Sequence, residues 1–444
     1  MRVAILGGGG FRVPLLCREL TRTGFAVDEL VLHDVDAVRL AVIGSVLAGQ
    51  RLPLTVRTTV ELSDAVAGAD VVFIALRVGG LDGRVGDERA ALDLGVLGQE
   101  TVGAGGLRYA ARTIPVVDEI AQLITQRSPQ AWVVSLTNPA GIVTEAMAGV
   151  LGPRVIGVCD SPVALVRRAC AAAGMAAWTS LAEVVDTVEV DYLGLNHLGW
   201  LRGLCYRDGD RQVDVMAKLL ATPHLLERLE EGRLFGSDVI CALDAIPNEY
   251  LYWYYAQREA LRDVRAAGRT RGEHVRREQQ AFYAAAAADP SRAAQLWRQA
   301  NDERNRSYLA ELRNGERDEA DVGAGGYESV AVAVALAAAL TGGRPARLIL
   351  NVANGPTIPG LPPDATVETV CRVDTSGALA LPVRPPTLHQ LGLMASVKAS
   401  EQAIIAAARS RSSRAALRAF ATHPLVASLQ AARTLSTLFT AEDR

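Results

Sequence analysis

The chain has 444 residues, which is longer than one hydrophobic core usually spans, so its length predicts two or more domains. Charged residues make up 21% of the sequence and the formal net charge is −3, which excludes a basic surface for nucleic acid and an acidic tail. The six cysteines show no paired spacing and nothing at the start reads as a secretory signal, so we expect no disulfides and a reducing cytoplasm. The longest apolar run, at 330–340, is about half of the roughly 20 residues that a membrane-spanning helix needs, and it predicts a buried helix instead.

Short β-branched runs alternate with helical stretches through the first half of the chain, in the order RVAIL, VDELVLHD, ADVVFIAL, AWVVSLT and RVIGVCD. This alternation predicts a parallel sheet with helices on both faces. The segment VEVDYLGLNHLGWL opens a different second half, which is predicted to be helical from about Met216 to Asn314. A strand is predicted at about 347–354, and the chain is predicted to end in helix from about residue 387.

The glycine run Gly7–Gly10 directly follows the first predicted strand and precedes a helix, where a nucleotide pyrophosphate would lie against the helix N-terminus. The match to G-x-G-x-x-G is incomplete, because Arg12 occupies the place of the third glycine. Asp34 ends the second predicted strand, where a carboxylate would accept the ribose hydroxyls of NAD and repel the extra phosphate of NADP. A glycine turn with a helix-capping aspartate is the alternative, and the residues favour nucleotide binding.

Three glycine-rich polar segments follow predicted strands: RVGGLDGR at 77–84, GQETVGAGG at 98–106 and SLTNPAG at 135–141. In a doubly wound sheet, loops after the strands face the ligand. Taken singly, Arg84 and Glu100 read as surface charges and Asn138 as part of a turn. Taken together at consecutive strand ends, they predict a site for a polar small molecule.

Cys159 in GVCDSP and His197 in GLNHLGW are candidate ligands of one divalent metal. Their long spacing is far less specific than a CxxC pair, and free cysteines and single histidines are more often structural. The residues alone therefore favour packing over metal binding for this pair.

The motifs GGGxxxxP, RVGGLxxR, GQETxGxGG, TNPAGxVTEA, GVCDSP, GLNHLGW, IPNEYL and TRGE occur in this order. Together they resemble the family 4 glycoside hydrolases, and most closely the 6-phosphoglucosidases within that family. The resemblance runs from the first strand to at least residue 368. It implies an α/β protein with a Rossmann-type doubly wound parallel sheet at 1–158. A mixed α+β domain at 159–444 is implied to resemble the C-terminal domain of lactate and malate dehydrogenases. This domain is implied to bind metal and substrate and to mediate oligomerisation.

The resemblance also implies an unusual hydrolysis that uses NAD. NAD takes a hydride from C3 of the sugar, a base removes the acidified C2 proton, the aglycone leaves C1, water adds and the hydride returns. A divalent metal, usually manganese, polarises the oxygens on C2 and C3. The implied substrate is a phosphorylated disaccharide or glucoside, and the implied assembly is a dimer or tetramer.

Carried onto this sequence, the resemblance assigns Cys159 and His197 to the metal and makes Tyr250 the catalytic base. A phenol with an ordinary pKa of about 10 needs a nearby cation to act as a base, and Arg271 is our candidate for it. The predicted NAD-binding residues are Gly7, Gly9, Gly10, Phe11, Asp34 and Arg39. The predicted substrate-binding residues are Arg84, Glu100, Asn138, Asn196 and Arg271.

Asp160 and the other motifs predict different anomeric preferences. A Cys-Asp pair resembles the 6-phospho-α-glucosidases, where the aspartate is the acid for the leaving group, whereas the β enzymes mostly have Cys-Asn. RVGGL, TNPAGxVTEA and the IPxxYLxxYY segment resemble the β group. The larger number of matches predicts a 6-phospho-β-glucosidase, with Asp160 as a second catalytic residue and an α-glucosidase as the alternative.

Two rival functions share the predicted fold. A plain NAD-dependent 2-hydroxy-acid dehydrogenase would need a histidine paired with aspartate and would not need Cys159. A non-catalytic NAD-binding sensor would not need to keep Cys159, His197 and Tyr250 together.

Overall fold

The computed structural model describes residues 1–175, 187–208, 211–307 and 328–441. All candidate site residues lie inside these ranges, whereas the end of the predicted helical region, 308–314, lies outside them. The boundary between domains at residue 158 stays a prediction, and one hydrophobic cluster includes Ile156 before it and Leu350 far beyond it.

Six parallel strands form the N-terminal part of the sheet, in the spatial order β6-β5-β4-β1-β2-β3. This is the strand order of the doubly wound dinucleotide-binding folds, with the topological switch point between β1 and β4. The predicted parallel sheet is therefore confirmed. The strands are β1 (Arg2–Leu6), β2 (Glu29–His33), β3 (Val56–Thr59), β4 (Val71–Ile74), β5 (Trp132–Ser135) and β6 (Val155–Gly157).

The same sheet continues beyond β6 with antiparallel strands from the second half of the chain, in the order β11-β12-β7-β8-β10. The junction is short, since Asn351 pairs with Gly157. Two further strands pair with this part, β13 with β12 and β9 with β8. The strands are β7 (Val188–Leu195), β8 (Leu198–Asp208), β9 (Arg211–Asp214), β10 (Ile246–Pro247), β11 (Ala346–Ala353), β12 (Thr366–Asp374) and β13 (Gly377–Ala380).

Helices cover both faces of the parallel strands and supply most of the second half. Those of the first half are α1 (Val13–Arg22), α2 (Ala37–Gln50), α3 (Leu62–Val66), α4 (Gly80–Asp93), α5 (Gly103–Arg127), α6 (Ala140–Leu151) and α7 (Ser161–Ala172). Those of the middle are α8 (Val215–Leu220), α9 (Pro223–Leu226), α10 (Glu230–Phe235), α11 (Ser237–Leu243), α12 (Tyr252–Tyr255), α13 (Gln257–Ala266), α14 (Arg271–Ala288) and α15 (Ala293–Arg306). The last are α16 (Glu328–Leu340), α17 (Leu388–Ser410), α18 (Ser413–Thr422) and α19 (Leu429–Ala441).

The sequence prediction differs from the structure in two elements of the first half. It omits β3, a four-residue edge strand whose residues are mostly half-buried, so they lack the apolar run that marks the central strands. It also treats RVGGLDGR as a loop, whereas α4 begins at Gly80 within that segment. The apolar run at 330–340 is confirmed as a helix, since it lies in α16 and most of its side chains are buried. Across the described ranges, no helix combines the length and apolarity that a membrane span requires.

Candidate functional site

A cavity of about 660 Å³ opens at the switch point between β1 and β4. Gly7 and Ala75, the residues that follow these two strands, both line it. Its wall also includes Cys159, His197 and Tyr250 from the second half of the chain. Candidate groups from distant parts of the sequence therefore meet in one space.

The glycine loop presents its backbone to this cavity. Gly7 has a positive φ of 87°, and a Cβ atom there would lie 2.4 Å from the carbonyl oxygen of Ala75. Asp34 accepts a hydrogen bond from the N–H of Gly9 at 2.9 Å and also lines the cavity. Asp36, not Asp34, caps α2, because its carboxylate accepts from the N–H groups of Val38 and Arg39. The reading of Asp34 as a helix cap is therefore wrong, and the loop fits a dinucleotide.

Arg39 and Phe11 also line the cavity. The Arg39 guanidinium lies 4.2 Å from the centre of the Tyr283 ring and donates to its hydroxyl at 3.2 Å. That hydroxyl donates to the carbonyl of Gly9 at 2.6 Å, so Tyr283 braces the glycine loop. The Phe11 ring packs edge-on against Phe282, which fits a core role better than contact with a ligand through its side chain.

A tight hairpin carries His197 to the cavity. Leu195 of β7 pairs with Leu198 of β8, which leaves Asn196 and His197 as the turn. His197 has a positive φ of 62°, the left-handed conformation that the second central residue of a type II turn requires. Its ring stacks on that of Tyr250, with centroids 3.7 Å apart and planes 7° apart. The candidate metal ligand and the candidate base are therefore in direct contact.

Cys159 follows β6 and is buried, with its sulfur 3.8 Å from a carboxylate oxygen of Asp160. Burial, and then the charges of Glu368 and Asp160, raise the pKa of the Cys159 thiol well above its ordinary range. Burial lowers the pKa of His197 to about 4, so the imidazole is neutral, as a metal ligand must be.

The pair fits a divalent metal with open positions, as in catalytic metal sites. The buried Nδ1 of His197 has no hydrogen-bond partner among the described residues. Among the same residues, no three His, Cys, Asp or Glu side chains are grouped to hold a metal. Substrate oxygens or water would therefore have to complete the metal coordination.

Arg12, which departs from the glycine pattern, contacts Asp160, on which the anomeric preference depends. Arg12, in the place of the third glycine, lies 3.4 Å from a carboxylate oxygen of Asp160 and donates to the hydroxyl of Ser329 at 3.0 Å. Burial raises the pKa of Asp160, but Arg12 and His197 lower it by more, so the pKa lies below its ordinary value. The arginine thus links the glycine loop to the segment that follows β6.

A second cluster of charged side chains surrounds Glu100. Its carboxylate lies 3.0 Å from Arg77 and 2.8 Å from Arg84, and Arg84 is also paired with Glu88 at 2.8 Å. Burial raises the pKa of Glu100, but Arg84 and Arg77 bring it down to about 2, so the carboxylate is ionised. Glu100 therefore fixes two guanidinium groups at the wall of the cavity.

A smaller side cavity of about 70 Å³ is lined by Arg84, Glu100, Tyr250, Arg271 and Arg304. The guanidinium of Arg271 donates to the hydroxyl of Ser307 at 3.1 Å and to the backbone carbonyl of Arg304 at 3.3 Å. Arg271 therefore shares a cavity with Tyr250, as the predicted pairing requires, although it lines the side cavity and not the main one.

Asn138 and Asn196 are placed differently. Asn138 lines the main cavity, whereas Asn196 does not. Asn196 is buried, with its carbonyl accepting from the N–H of Ala140 at 3.0 Å and its amide donating to Glu368 at 3.3 Å. These contacts fit a role in holding the site together better than the predicted contact with substrate.

Sequence reasoning missed four residues that shape the site: Arg77, Tyr283, Arg304 and Glu368. Arg77 begins the glycine-rich segment RVGGLDGR, so the sequence around it does indicate a site. The other three lie on helices or a strand far along the chain, and their neighbours in sequence give no sign of a site.

Comparison with known proteins identifies the family. The model described as "Family 4 glycosyl hydrolase" matches residues 2–175, and that of its C-terminal domain matches residues 192–426. A probable 6-phospho-β-glucosidase of Bacillus subtilis is 28% identical over 443 residues, which cover 96% of this chain and 93% of the relative.

Solved structures agree with this result. The 6-phospho-β-glucosidase from Thermotoga maritima with NAD and glucose 6-phosphate has a TM-score of 0.82 at 25% identity, covering 100% of this chain and 98% of the other. A 6-phospho-α-glucosidase from gut microorganisms, in complex with NAD and Mn²⁺, has a TM-score of 0.76 at 25% identity with the same coverage. A lactate dehydrogenase from Trichomonas vaginalis shares the fold alone, with a TM-score of 0.55 at 12% identity over 93% of this chain and 99% of the other. With its family models matched along most of its length, the chain belongs to glycosyl hydrolase family 4.

Proposed function

We propose that this glycosidase hydrolyses 6-phospho-β-glucosides with NAD and a divalent metal, Mn²⁺ being the first choice. The observation that carries the proposal is the shared cavity, which Gly7 and Asp34 line together with Cys159, His197 and Tyr250. Relatives named 6-phospho-β-glucosidase, and structures of relatives with NAD, glucose 6-phosphate or Mn²⁺, support it.

When bound, NAD would accept and return a hydride, and the metal would polarise the sugar oxygens beside the carbon that loses a proton. The chain would hold the dinucleotide through the open backbone at Gly7 and through Asp34. Cys159 and His197 would supply the protein ligands of the metal, and the substrate would approach from the same cavity.

Tyr250 is the group that would remove the C2 proton. Its ring lies flat against His197, so its position relative to the metal ligand is fixed by stacking. Arg271 and Arg304 line the side cavity with Tyr250, and positive charge there favours the phenolate that a base requires. Arg84 would bind the substrate phosphate or sugar, with its guanidinium held by Glu88 and Glu100.

The 6-phospho-α-glucosidase remains the second candidate because Asp160 stands next to Cys159. Asp160 is the residue that would protonate the leaving group in that reaction, and Arg12 contacts its carboxylate. The β preference rests on the larger number of matching motifs. In addition, the contact with Arg12 lowers the pKa of Asp160 and so favours the ionised carboxylate, which has no proton to donate.

The test is a release assay with p-nitrophenyl β- and α-glucoside 6-phosphates under reducing conditions, with NAD and Mn²⁺ added singly and together. We expect nitrophenol from the β substrate only when both are present, with no accumulation of NADH, and loss of release on chelation. Faster release from the α substrate would assign the alternative. Steady NADH production from a 2-hydroxy acid, or no turnover of any substrate, would overturn the proposal.

A further inference from the structure

A buried carboxylate, Glu368, accepts a hydrogen bond from the turn that carries the candidate metal ligand His197. Glu368 of β12 is 1% exposed, and within the described part of the chain it forms no ion pair. Three neutral groups donate to it: the amide of Asn351 at 2.9 Å, the hydroxyl of Tyr192 at 3.1 Å and the amide of Asn196 at 3.3 Å. Burial raises the pKa of Glu368 to about 7. Buried charges in proteins are normally paired or lie near a metal, so a cation in this region would favour the ionised form of Glu368.

Glu368 is connected to the strand that leads to Cys159. Asn351, whose amide donates to Glu368 at 2.9 Å, pairs across the sheet with Gly157, two residues before Cys159. The second candidate ligand, His197, directly follows Asn196, whose amide also donates to Glu368. A divalent cation bound by Cys159 and His197 would offset the charge of Glu368.

The hydrogen bonds of Glu368 also connect two segments that line the cavity. Asn196, whose amide donates to the carboxylate, precedes His197 in the hairpin turn. The other end of the Asn196 side chain accepts from the N–H of Ala140, which begins α6 just after Asn138. Displacing Glu368 would therefore move the turn that carries His197 and the segment that carries Asn138.

We propose that Glu368 is a positioning residue of the metal site, which holds the Asn196–His197 turn and supplies the negative charge that the bound cation offsets. The inference rests on the proposed function, because it needs a metal at Cys159 and His197. Outer carboxylates that orient metal ligands typically change metal affinity about 10-fold to 100-fold when they are replaced.

The test is Glu368→Gln, which keeps the size of the side chain and removes its charge. Binding of Mn²⁺ and of NAD is measured separately by titration calorimetry on the full chain. We expect Mn²⁺ affinity to fall about 10-fold to 100-fold with NAD affinity unchanged. The control is Glu401→Gln, which removes another buried carboxylate, paired at 2.6 Å with Lys398, and is expected to leave Mn²⁺ affinity unchanged.

The outcomes separate the two proposals. If the wild-type chain binds no Mn²⁺, the metal of the proposed function fails. If wild type binds Mn²⁺ and the folded Glu368→Gln variant binds it equally well, or if Glu401→Gln weakens it as much, the role of Glu368 is wrong. Should Glu368→Gln not fold, Glu368→Asp shortens the side chain, and Mn²⁺ affinity equal to wild type would overturn the inference.

Discussion

At the scale of single residues, Arg304 is the least expected member of the site. It lines both cavities, and its side chain has no hydrogen bond or ion pair with the residues described. Burial, and then the neighbouring Arg12 and Arg271, lower the pKa of Arg304 to about 9, so the guanidinium is still charged at neutral pH. A cation held in this way among other cations favours an anionic ligand, and the phosphate of the proposed substrate would meet that need.

The first prediction concerns Arg304→Met. A hydrogen bond between charged groups is worth about 1.5–3 kcal/mol, so we expect KM for the 6-phosphorylated substrate to rise about 10-fold to 100-fold. The control is Arg306→Met, which alters an exposed residue of the same helix, paired with Glu303, and should leave KM unchanged. Equal KM values for Arg304→Met and wild type would contradict the role.

The second prediction concerns Tyr250→Phe. General bases contribute about 10²-fold to 10⁴-fold to rate, so kcat is expected to fall by that factor while the affinities for NAD and Mn²⁺ persist. Tyr252→Phe is the matched control, because Tyr252 lies two residues away and lines neither cavity. Substantial activity in Tyr250→Phe would move the role of base to another group.

At the level of elements, the segment after α18 connects the C-terminal helices to α5 and α13. His423 directly follows α18 and is buried, and its Nδ1 accepts the N–H of Leu425 at 3.1 Å. The carbonyl of Leu425 accepts a hydrogen bond from the side chain of Gln257 at 3.0 Å. The side chain of Leu425 packs over Gly103 at the start of α5. An imidazole in this position must stay neutral, because a protonated Nδ1 would face another N–H.

The third prediction follows from that histidine. Burial lowers the pKa of His423 to about 3. As the pH falls toward 5, His423 therefore becomes protonated in the unfolded chain and stays neutral in the folded chain. Stability is therefore lost as pH falls below the ordinary value of about 6.5, by about 2 kcal/mol at pH 5.

The variant His423→Asn keeps an acceptor and cannot titrate. In urea titrations, the free energy of unfolding should therefore fall by about 2 kcal/mol less in this variant than in wild type between pH 7 and pH 5. Parallel losses in the two proteins would show that His423 does not set the acid sensitivity.

At the scale of the whole molecule, one sheet runs through both halves of the chain. The parallel strands that carry the glycine loop continue through β11 into the antiparallel strands that carry the His197 hairpin. The cavity therefore lies between segments that share one sheet, which fixes the two sets of groups relative to each other. The oligomeric state stays a prediction, as do the individual site assignments.

The fourth prediction is that this shared sheet makes unfolding cooperative. We expect far-UV circular dichroism and tryptophan fluorescence to report one coincident thermal transition, since Trp132 lies on β5 and Trp200 on β8 at opposite ends of the junction. Two separate transitions would indicate that the halves fold independently at the predicted boundary near residue 158.

Local patterns predicted the parallel strands and the glycine loop, because buried β-branched runs and glycine turns consist of residues that are consecutive in the sequence. The resemblance to family 4 predicted that Cys159, His197 and Tyr250 form one site, whereas their spacing in the sequence alone did not favour a shared site. The contact between Arg12 and Asp160 joins residues 148 positions apart, and the hydrogen bond between Asn196 and Glu368 spans 172 positions. Such pairs leave no periodic signal, so only the folded chain reveals them.

Hydrolysis in D₂O shows whether the enzyme removes the C2 proton of its substrate. We expect the glucose 6-phosphate released from the β substrate to carry solvent deuterium at C2, observed as loss of the C2 proton signal by nuclear magnetic resonance. A product formed at the full NAD-dependent rate without deuterium at C2 would contradict it.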